Sequence, residues 1–262
     1  MQSFIGSKRT DDLSGFHTHE LMLLGHDDAH LYVREGGEYA KTNGTRGKED
    51  QTGLYVWGAS MVLAQWLSST PALRSEVQGS TVCELGAGCG VPGLAAALAG
   101  GARNVLLTDL RESTIANLHH NAHINHGAAD ERGCKVEVRE LDWAQQSLLE
   151  PVRVVLGADL VYEEETVPML APLVFRLLEP GGVFLHAYPF TMPSPMRTGV
   201  DEFADELTAM GLRLEMDCEA REALLVDPRR GAQAADSSGP GAHLAQQMKQ
   251  RFWLQCFRKP RP

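Results

Sequence analysis

The stretch from residue 82 to residue 93 constrains the fold of this chain more than any other part of its sequence. It reads VCELGAGCGVPG, so a short apolar run ends in an acid, passes through three alternate glycines and enters a helix-forming segment. A buried strand that turns directly into a helix opens a strand–helix–strand unit. This stretch therefore predicts an α/β fold with a glycine turn, from Gly86 to Gly90, at the end of a strand.

The same alternation of strands and helices continues along the chain. We predict strands at 81–85, 104–108, 135–139, 152–158 and 183–187, with helical segments between them at 91–99, 112–125 and 164–178. Because such alternation requires crossover connections, the sheet should be mostly parallel. The run at 152–158 is almost entirely apolar, as expected for a central strand covered on both faces. The pattern therefore predicts a Rossmann-like sheet with helices on both faces.

The two ends of the chain are less regular. Further predicted elements are short strands at 21–24 and 31–34 around a polar turn at 26–28, a helix at 61–67, a helix at 201–210, and strands at 212–217 and 252–257. Flexible loops are expected where Gly, Ser and other small or polar residues accumulate, at 36–51 and 227–242. We expect an N-terminal extension over 1–52 and a Rossmann-like domain over 53–262. His17 and His19 are expected to be exposed.

Length and composition exclude several classes of protein. The 262 residues suffice for one large domain with a small N-terminal addition, and 43% hydrophobic and 22% charged residues are ordinary values. No apolar run reaches about 18 residues, so no membrane span is expected, and residues 1–12 do not resemble a secretory signal. The five cysteines are odd in number and form no Cys-x-x-Cys pair, which argues against a disulfide framework and a zinc site. These features favour the cytoplasm, with the nucleus as the alternative.

The formal net charge of −10 limits the choice of partner. An acidic surface repels a phosphate backbone, and no basic stripe compensates for it, so nucleic acid is not an expected partner. The acid excess would suit a basic or lysine-bearing partner. The simpler interpretation is that the charge serves solubility.

The glycine turn predicts a ligand that the backbone approaches closely, because glycines expose N–H groups without a Cβ in the way. Two cofactors fit the pattern. Residues 88–93 match G-x-G-x-x-G, and Asp109 follows about twenty residues later, as in dinucleotide-binding proteins. However, a carboxylate at Glu84 would repel a pyrophosphate and attract the cationic amino-acid part of S-adenosylmethionine. We therefore favour S-adenosylmethionine.

Polar and aromatic side chains follow the next strands. Asp109 can accept both ribose hydroxyls, the alternative being a helix cap. Trp143 offers a flat face for adenine and Asp142 an acceptor for its amine. The alternative for Trp143 is core packing, but the Asp-Trp pair at a strand end favours the ligand role. Since ligands lie beyond the carboxyl ends of the strands in open α/β sheets, Asp159 and Tyr162 should face the reacting groups. For Asp159 the alternative is a cap for the following helix.

Together these residues resemble the seven-strand (class I) methyltransferases, and specifically the family 16 group of protein-lysine methyltransferases. The resemblance covers roughly residues 50 to 190 and consists of Val56-Trp57-Gly58-Ala59 with Leu63 and Leu67, the loop from Glu84 to Gly90, Asp109, Asp142-Trp143, and Ala158-Asp159-Leu160-Val161-Tyr162. It implies seven strands with the last one antiparallel. It also implies cofactor contacts, which together with the reasoning above give Trp57, Glu84, Gly86, Ala87, Gly88, Gly90, Asp109, Asp142, Trp143 and Ala158.

The resemblance further implies methyl transfer to a lysine of a partner protein, such as a chaperone or a translation factor. In that reaction Asp159 would orient the amine, and Tyr162 with Tyr188 or Phe190 would line the channel. We expect a monomer. The chain departs from the family pattern at Gly58-Ala59, at the residues after the fifth strand and at 227–242, which leaves the target more open than the cofactor.

Other interpretations stay open. A small-molecule amine could be the methyl acceptor, or the chain could bind the cofactor without catalysis. Nucleic-acid methylation is not expected, because the fourth strand does not end in the Asn/Asp-Pro-Pro-Tyr/Phe pattern. His119, His123 and His126 share one face of a predicted helix but have no acidic or cysteine partner at ligand spacing in that helix, so we expect no metal site.

Overall fold

The computed structural model describes residues 5–6, 16–23, 26, 29–36, 51–145, 149–162, 164–220 and 247–262. The strands are β1 (Ile5–Gly6), β2 (Phe16–Met22), β3 (His30–Gly36), β4 (Thr81–Leu85), β5 (Asn104–Asp109), β6 (Lys135–Glu140), β7 (Val152–Ala158), β8 (Leu178–Pro189), β9 (Arg213–Glu219) and β10 (Phe252–Arg258). The α-helices are α1 (Gly58–Ser69), α2 (Pro71–Val77), α3 (Val91–Leu98), α4 (Glu112–Ile124), α5 (His126–Glu131), α6 (Val167–Leu177) and α7 (Ser194–Ala209). No helix in these parts of the chain is both long and apolar enough to cross a membrane.

The central sheet has seven strands in the order β6-β5-β4-β7-β8-β10-β9. The first five strands in this order pair in parallel, whereas β10 is antiparallel to both of its neighbours. The predicted mostly parallel sheet with an antiparallel last strand is therefore confirmed. The strand order runs outward from β4 in both directions, so the connections leaving β4 and β7 diverge and open a crevice at their carboxyl ends.

Side chains of the central strands alternate between two buried clusters, as the period of a strand requires. Val82, Val154 and Leu156 belong to a cluster that includes side chains of α1 and α3. Cys83 and Val155 belong to a second cluster with α6 and α7. The helices therefore cover both faces of the sheet, as predicted.

The N-terminal strands form a separate three-stranded sheet in the order β1-β2-β3. Residues of β2 alternate between the two faces, and the inward face carries His17, His19 and Leu21. The expectation that the two histidines are exposed is wrong, because they are only 7% and 4% exposed. The His19 Nε2 atom lies 2.6 Å from Glu35 Oε1, so the buried imidazole has a buried carboxylate as its partner.

Several boundaries differ from those predicted. The short helices α2 and α5 were not predicted, and α7 begins at Ser194 instead of residue 201. The strand predicted at 183–187 is longer in the structure, because β8 begins at Leu178 directly after α6. The pairing of β7 with β8 shifts register between Val152 and Val154, and this irregularity accommodates the glycines of that segment. The predicted loop at 227–242 and nearly all of 36–51 lie outside the described residues.

Candidate functional site

The glycine turn after β4 has a backbone that requires glycine. Gly86, Gly88 and Gly90 have φ angles of 54°, 55° and 80°, in the left-handed region that side chains rarely adopt. A Cβ at Gly86 would lie 2.9 Å from Leu160 Cδ2. The Ala87 N–H donates to the carbonyl of Thr108 at 2.8 Å, which ties the turn to the end of β5.

Glu84 lies beneath this turn and not in the open crevice. Its side chain is 2% exposed, and its Oε2 accepts a hydrogen bond from the Gly93 N–H at 2.8 Å. Burial raises the pKa of Glu84 to about 8, while the Gly93 N–H opposes the shift and the charge of Asp109 adds to it. The carboxylate thus supports the first turn of α3 directly, and its contact with a cofactor stays a prediction.

Asp109 connects the end of β5 to the glycine turn. Its Oδ2 accepts from the Gly88 N–H at 2.9 Å, and its Oδ1 accepts from the Leu110 N–H at 2.8 Å. The structure thus places Asp109, the residue predicted to bind the ribose, against the glycine turn. The Arg111 N–H also lies 3.5 Å from Oδ1, so the carboxylate is held by backbone donors on both sides.

The residues after β6 approach the turn from the other side. A Cβ at Gly86 would lie 3.2 Å from Cζ2 of Trp143, so the half-buried indole lies against the glycine. Trp143 also packs against the cluster that includes α6 and α7. Asp142 accepts from the Ala144 N–H at 2.9 Å and from Gln145 Nε2 at 3.1 Å, which fixes the turn that carries the tryptophan.

The segment before α1 brings Trp57 to the same region. The Trp57 Nε1–H donates to the Thr52 carbonyl at 2.9 Å, and the Gly53 carbonyl oxygen would lie 3.3 Å from a Cβ at Gly88. The neighbouring Gly58 N–H donates to Gln247 Oε1 at 2.5 Å. The start of α1 is therefore held by a side chain from the far end of the chain.

The ring of Phe252 explains why glycine follows Trp57. A Cβ at Gly58 would lie 2.5 Å from Cζ of Phe252, closer than packed atoms can approach. The departure from the family pattern at this position therefore has a packing cause, since β10 fills the space that a side chain would need.

Asp159 follows β7 in a strained conformation. Its φ of 55° is the only positive value of a non-glycine residue in the described part of the chain. Its N–H donates to the Ala187 carbonyl at 2.8 Å, which holds this conformation against the end of β8. Burial raises the pKa of Asp159 to about 6. Such strain costs about 1 kcal/mol or more and is typical of functional sites.

Two other predicted residues flank Asp159. Ala158 is half-buried against the cluster of α1 and α3, and Tyr162 is 42% exposed. The residues from β4, β5, β6 and β7 thus meet at one edge of the sheet, at the crevice between β4 and β7. The predicted histidine face is divided between two helices, with His119 and His123 in α4 and His126 at the start of α5, and all three side chains are exposed. Among the residues with described positions, no group of three or more His, Cys, Asp or Glu could hold a metal.

Sequence reasoning missed residues that hold the site together. They are Thr108, whose hydroxyl donates to the Glu84 carbonyl at 2.6 Å, and Asn121, whose side chain donates to the Cys89 carbonyl at 2.9 Å. The spacing of four between Asn117, Asn121 and Asn125 was the available signal, because such residues share one face of a helix.

Three features of this site are typical of a Rossmann-like nucleotide-binding domain. They are a glycine turn, an acid at the end of the neighbouring strand, and a crevice at the point where the strand order reverses. A family model described as lysine methyltransferase matches residues 44–193. The chain belongs to this family, which confirms the resemblance seen in its motifs.

Individual relatives agree with this assignment. The chain is 40% identical over 118 residues to protein N-lysine methyltransferase METTL21A of Danio rerio, covering 44% of this chain and 50% of the relative. It is 33% identical over 165 residues to EEF1A lysine methyltransferase 3 of Mus musculus, covering 62% of this chain and 64% of the relative. The matched part thus spans about half to two thirds of these relatives.

The fold is shared more widely. The solved structure of PH1948 from Pyrococcus horikoshii aligns with a TM-score of 0.52 at 16% identity, covering 81% of this chain and 92% of that chain. At this identity the likeness concerns the fold alone, and the reaction has to be argued from the site.

Proposed function

We propose that this chain transfers a methyl group from S-adenosylmethionine to a lysine side chain of a partner protein. The observation that carries the proposal is the convergence of the glycine turn, Asp109, Trp143 and Asp159 at one crevice, in a chain of the lysine methyltransferase family. A ligand in this crevice would meet the backbone of the glycine turn, a carboxylate and an indole face. These are the groups that suit a nucleoside with an amino-acid tail.

The residues present fit this cofactor. A Cβ at Gly86 would meet Leu160 and Trp143, so the glycine lets the turn pack directly against the indole and brings the two parts of the site together. Asp109 would bind the ribose, and Trp143 and Asp142 the adenine. Trp57, Ala87 and Ala158 would complete the walls. When bound, S-adenosylmethionine supplies a methyl group that is already activated as a sulfonium.

Glu84 would act chiefly by shaping the loop. It accepts the Gly93 N–H from within the fold, and it places a titratable charge beneath the turn that receives the amino-acid part of the cofactor. A cation bound nearby would stabilise the ionised carboxylate and lower its raised pKa. Discrimination against a pyrophosphate would follow from the same charge.

The target lysine must lose its proton before it can react, because only the neutral amine is a nucleophile. Asp159 would orient this amine by accepting a hydrogen bond from its N–H. With a pKa raised to about 6, the Asp159 side chain is ionised at neutral pH and is an acceptor there. The protein otherwise needs to align the amine and to exclude water.

Aromatic rings at the crevice would exclude that water. Tyr162 is exposed beside Asp159, where a partner protein can reach it. Of the two other predicted channel residues, Tyr188 is 2% exposed, whereas Phe190 is half-buried with its ring 5.6 Å from that of Trp253. Phe190 therefore suits the channel wall better than Tyr188.

Further properties complete the proposal. The partner is a protein, such as a chaperone or a translation factor, and EEF1A lysine methyltransferase 3 is a relative whose name indicates a target of the second kind. The enzyme acts in the cytoplasm as a monomer, with residues 1–52 forming an N-terminal extension and 53–262 the catalytic domain. Neither nucleic acid nor a membrane takes part.

Radiolabelled S-adenosylmethionine and a cell lysate test this function. The wild type should label a protein band, and mass spectrometry of that band should find methyllysine. An Asp159→Ala variant that still binds adenosylhomocysteine should label the band weakly. Label found only in small molecules would contradict the protein target. Cofactor binding without any transfer would contradict catalysis.

A further inference from the structure

A buried row of asparagines lies along one face of α4 and its C-cap. Asn117, Asn121 and Asn125 follow one another at intervals of four residues and are each at most 1% exposed. Buried amides are costly unless each of their hydrogen-bonding atoms has a partner. We call these three residues the asparagine row.

The asparagine row pairs with the free edge of β3 as a neighbouring strand would. Asn125 accepts from the Tyr32 N–H at 2.9 Å and donates to the Tyr32 carbonyl at 2.6 Å. Asn121 accepts from the Arg34 N–H at 2.8 Å and donates to the Arg34 carbonyl at 3.1 Å. Four helical residues rise about 6 Å and two strand residues about 6.7 Å, so the two repeats match closely enough for this pairing. The edge strand is thus fastened to α4.

Asn121 also reaches the glycine turn. Its Nδ2 donates to the Cys89 carbonyl at 2.9 Å in addition to the Arg34 carbonyl, so both amide hydrogens and the oxygen are used. The neighbouring Asn117 Nδ2 lies 3.7 Å from Cys89 Sγ. Asn125 has no such contact: its other hydrogen bond goes to the Asn121 carbonyl at 2.7 Å.

Strand β3 also contacts the segment that carries Trp57, on another side of the crevice. Glu35, the next residue along β3, accepts from the Val56 N–H at 2.9 Å, immediately before Trp57. Its other oxygen is paired with His19 of β2 at 2.6 Å. The N-terminal sheet therefore contacts both the segment that carries Trp57 and, through Asn121, the turn that carries Gly88.

We propose that Asn121 is a positioning residue for cofactor binding. Through Asn121, the N-terminal sheet restricts the conformations that the glycine turn can adopt. This inference rests on the proposed function, because the ligand concerned is its cofactor. Asn121 fixes the direction of the peptide between Cys89 and Gly90. The residue before Cys89 is Gly88, whose N–H is held by Asp109. Without Asn121 the turn would sample orientations that bind the cofactor less well.

The test uses two matched variants, Asn121→Ala and Asn125→Ala. Each removes one amide that makes two hydrogen bonds to β3 and one to another carbonyl, but of the two asparagines only Asn121 contacts the glycine turn. The dissociation constant for adenosylhomocysteine is measured by calorimetry, and stability by urea unfolding of the same samples. We expect Asn121→Ala to weaken binding about tenfold, equivalent to about 1.4 kcal/mol, and Asn125→Ala less than about twofold.

A kinetic readout separates positioning from loss of stability. In Asn121→Ala the KM for S-adenosylmethionine should rise while kcat at saturation is kept, because the bound cofactor restores the turn. The inference would be overturned if both variants bind adenosylhomocysteine as tightly as the wild type, or if both lose affinity for it to the same extent. If Asn121→Ala does not fold, Asn121→Asp and Asn125→Asp carry the same prediction, since each replaces the donor with an oxygen. A wild type that does not bind adenosylhomocysteine contradicts the proposed function instead.

Discussion

Replacing Glu84 with glutamine should make the protein without cofactor more stable at neutral and alkaline pH. The carboxyl is buried beneath the glycine turn, and its pKa is raised from 4.5 to about 8. The folded state therefore binds the proton more tightly than the unfolded state does. Stability contributed by this group is complete below pH 4.5 and is lost as pH rises toward 8. Glutamine has the same shape and can still accept the Gly93 N–H, but it has no proton to lose.

The magnitude follows from the two pKa values. Each pH unit between them corresponds to about 1.4 kcal/mol, so wild-type Glu84 costs about 1 kcal/mol of folding free energy at pH 5 and about 4 kcal/mol at pH 8. The stability difference between Glu84→Gln and wild type should thus grow by about 3 kcal/mol over this range. Other titrating groups are common to both proteins and cancel in the difference.

Urea unfolding of both proteins at pH 5 and pH 8, without cofactor, measures this difference. The matched control is Glu206→Gln, which makes the same charge change at an exposed position of α7 and should alter stability by less than about 0.5 kcal/mol at either pH. In parallel, at pH 8, adenosylhomocysteine should bind Glu84→Gln more weakly than wild type, because glutamine cannot develop the negative charge that a bound cation favours. A stability difference that does not grow with pH would refute the reasoning about burial.

Three further predictions concern the site and its supports. Asp109→Ala should weaken adenosylhomocysteine binding at least about tenfold in calorimetry, since the turn loses a charged acceptor; unchanged affinity would remove this residue from the site. Methyl transfer by the wild type should fall as pH drops through about 6, where Asp159 becomes protonated, whereas Asp159→Asn should show low activity without that transition in an initial-rate pH profile. Gly58→Ala should destabilise the protein by about 1–3 kcal/mol in urea unfolding, because the added Cβ would lie 2.5 Å from the Phe252 ring. The control Gly127→Ala has open space around the new Cβ and should be neutral or slightly stabilising; equal effects of the two alanines would contradict the packing argument.

The central strands were predictable because their signals are local and strong. The strands at Thr81–Leu85 and Val152–Ala158 were predicted to the residue, since a strand covered on both faces leaves a mostly apolar stretch. The glycine turn was predictable for a similar reason, as its backbone admits few other residues. The parallel arrangement followed from the alternation of strands with helices.

The N-terminal sheet was less predictable, because its burial depends on partners far along the chain. His19 reads as a surface residue until the buried Glu35 carboxylate is placed 2.6 Å from it. Likewise, the asparagines of α4 look like ordinary helix-surface residues, and only the edge of β3 makes them part of the core. The spacing of four places these asparagines on one face of a helix, but one sequence does not show which distant strand that face meets.

The sequence placed the candidate site residues at strand ends that the structure brings together, but it did not predict all of their contacts. Asp109 was expected to bind a ribose, and its hydrogen bond to the Gly88 N–H additionally gives it a role in holding the turn. Glu84 was expected to face the ligand, yet it is buried against the Gly93 N–H. Both differences arise because a tight turn needs acceptors for its own N–H groups.

Titration of the wild-type protein with adenosylhomocysteine and with NADH, in the same calorimetric experiment, tests the choice of ligand for this crevice. Adenosylhomocysteine should bind with one site per chain, and NADH at the same concentration should neither bind nor displace it. Binding of NADH that adenosylhomocysteine cannot displace would contradict the account.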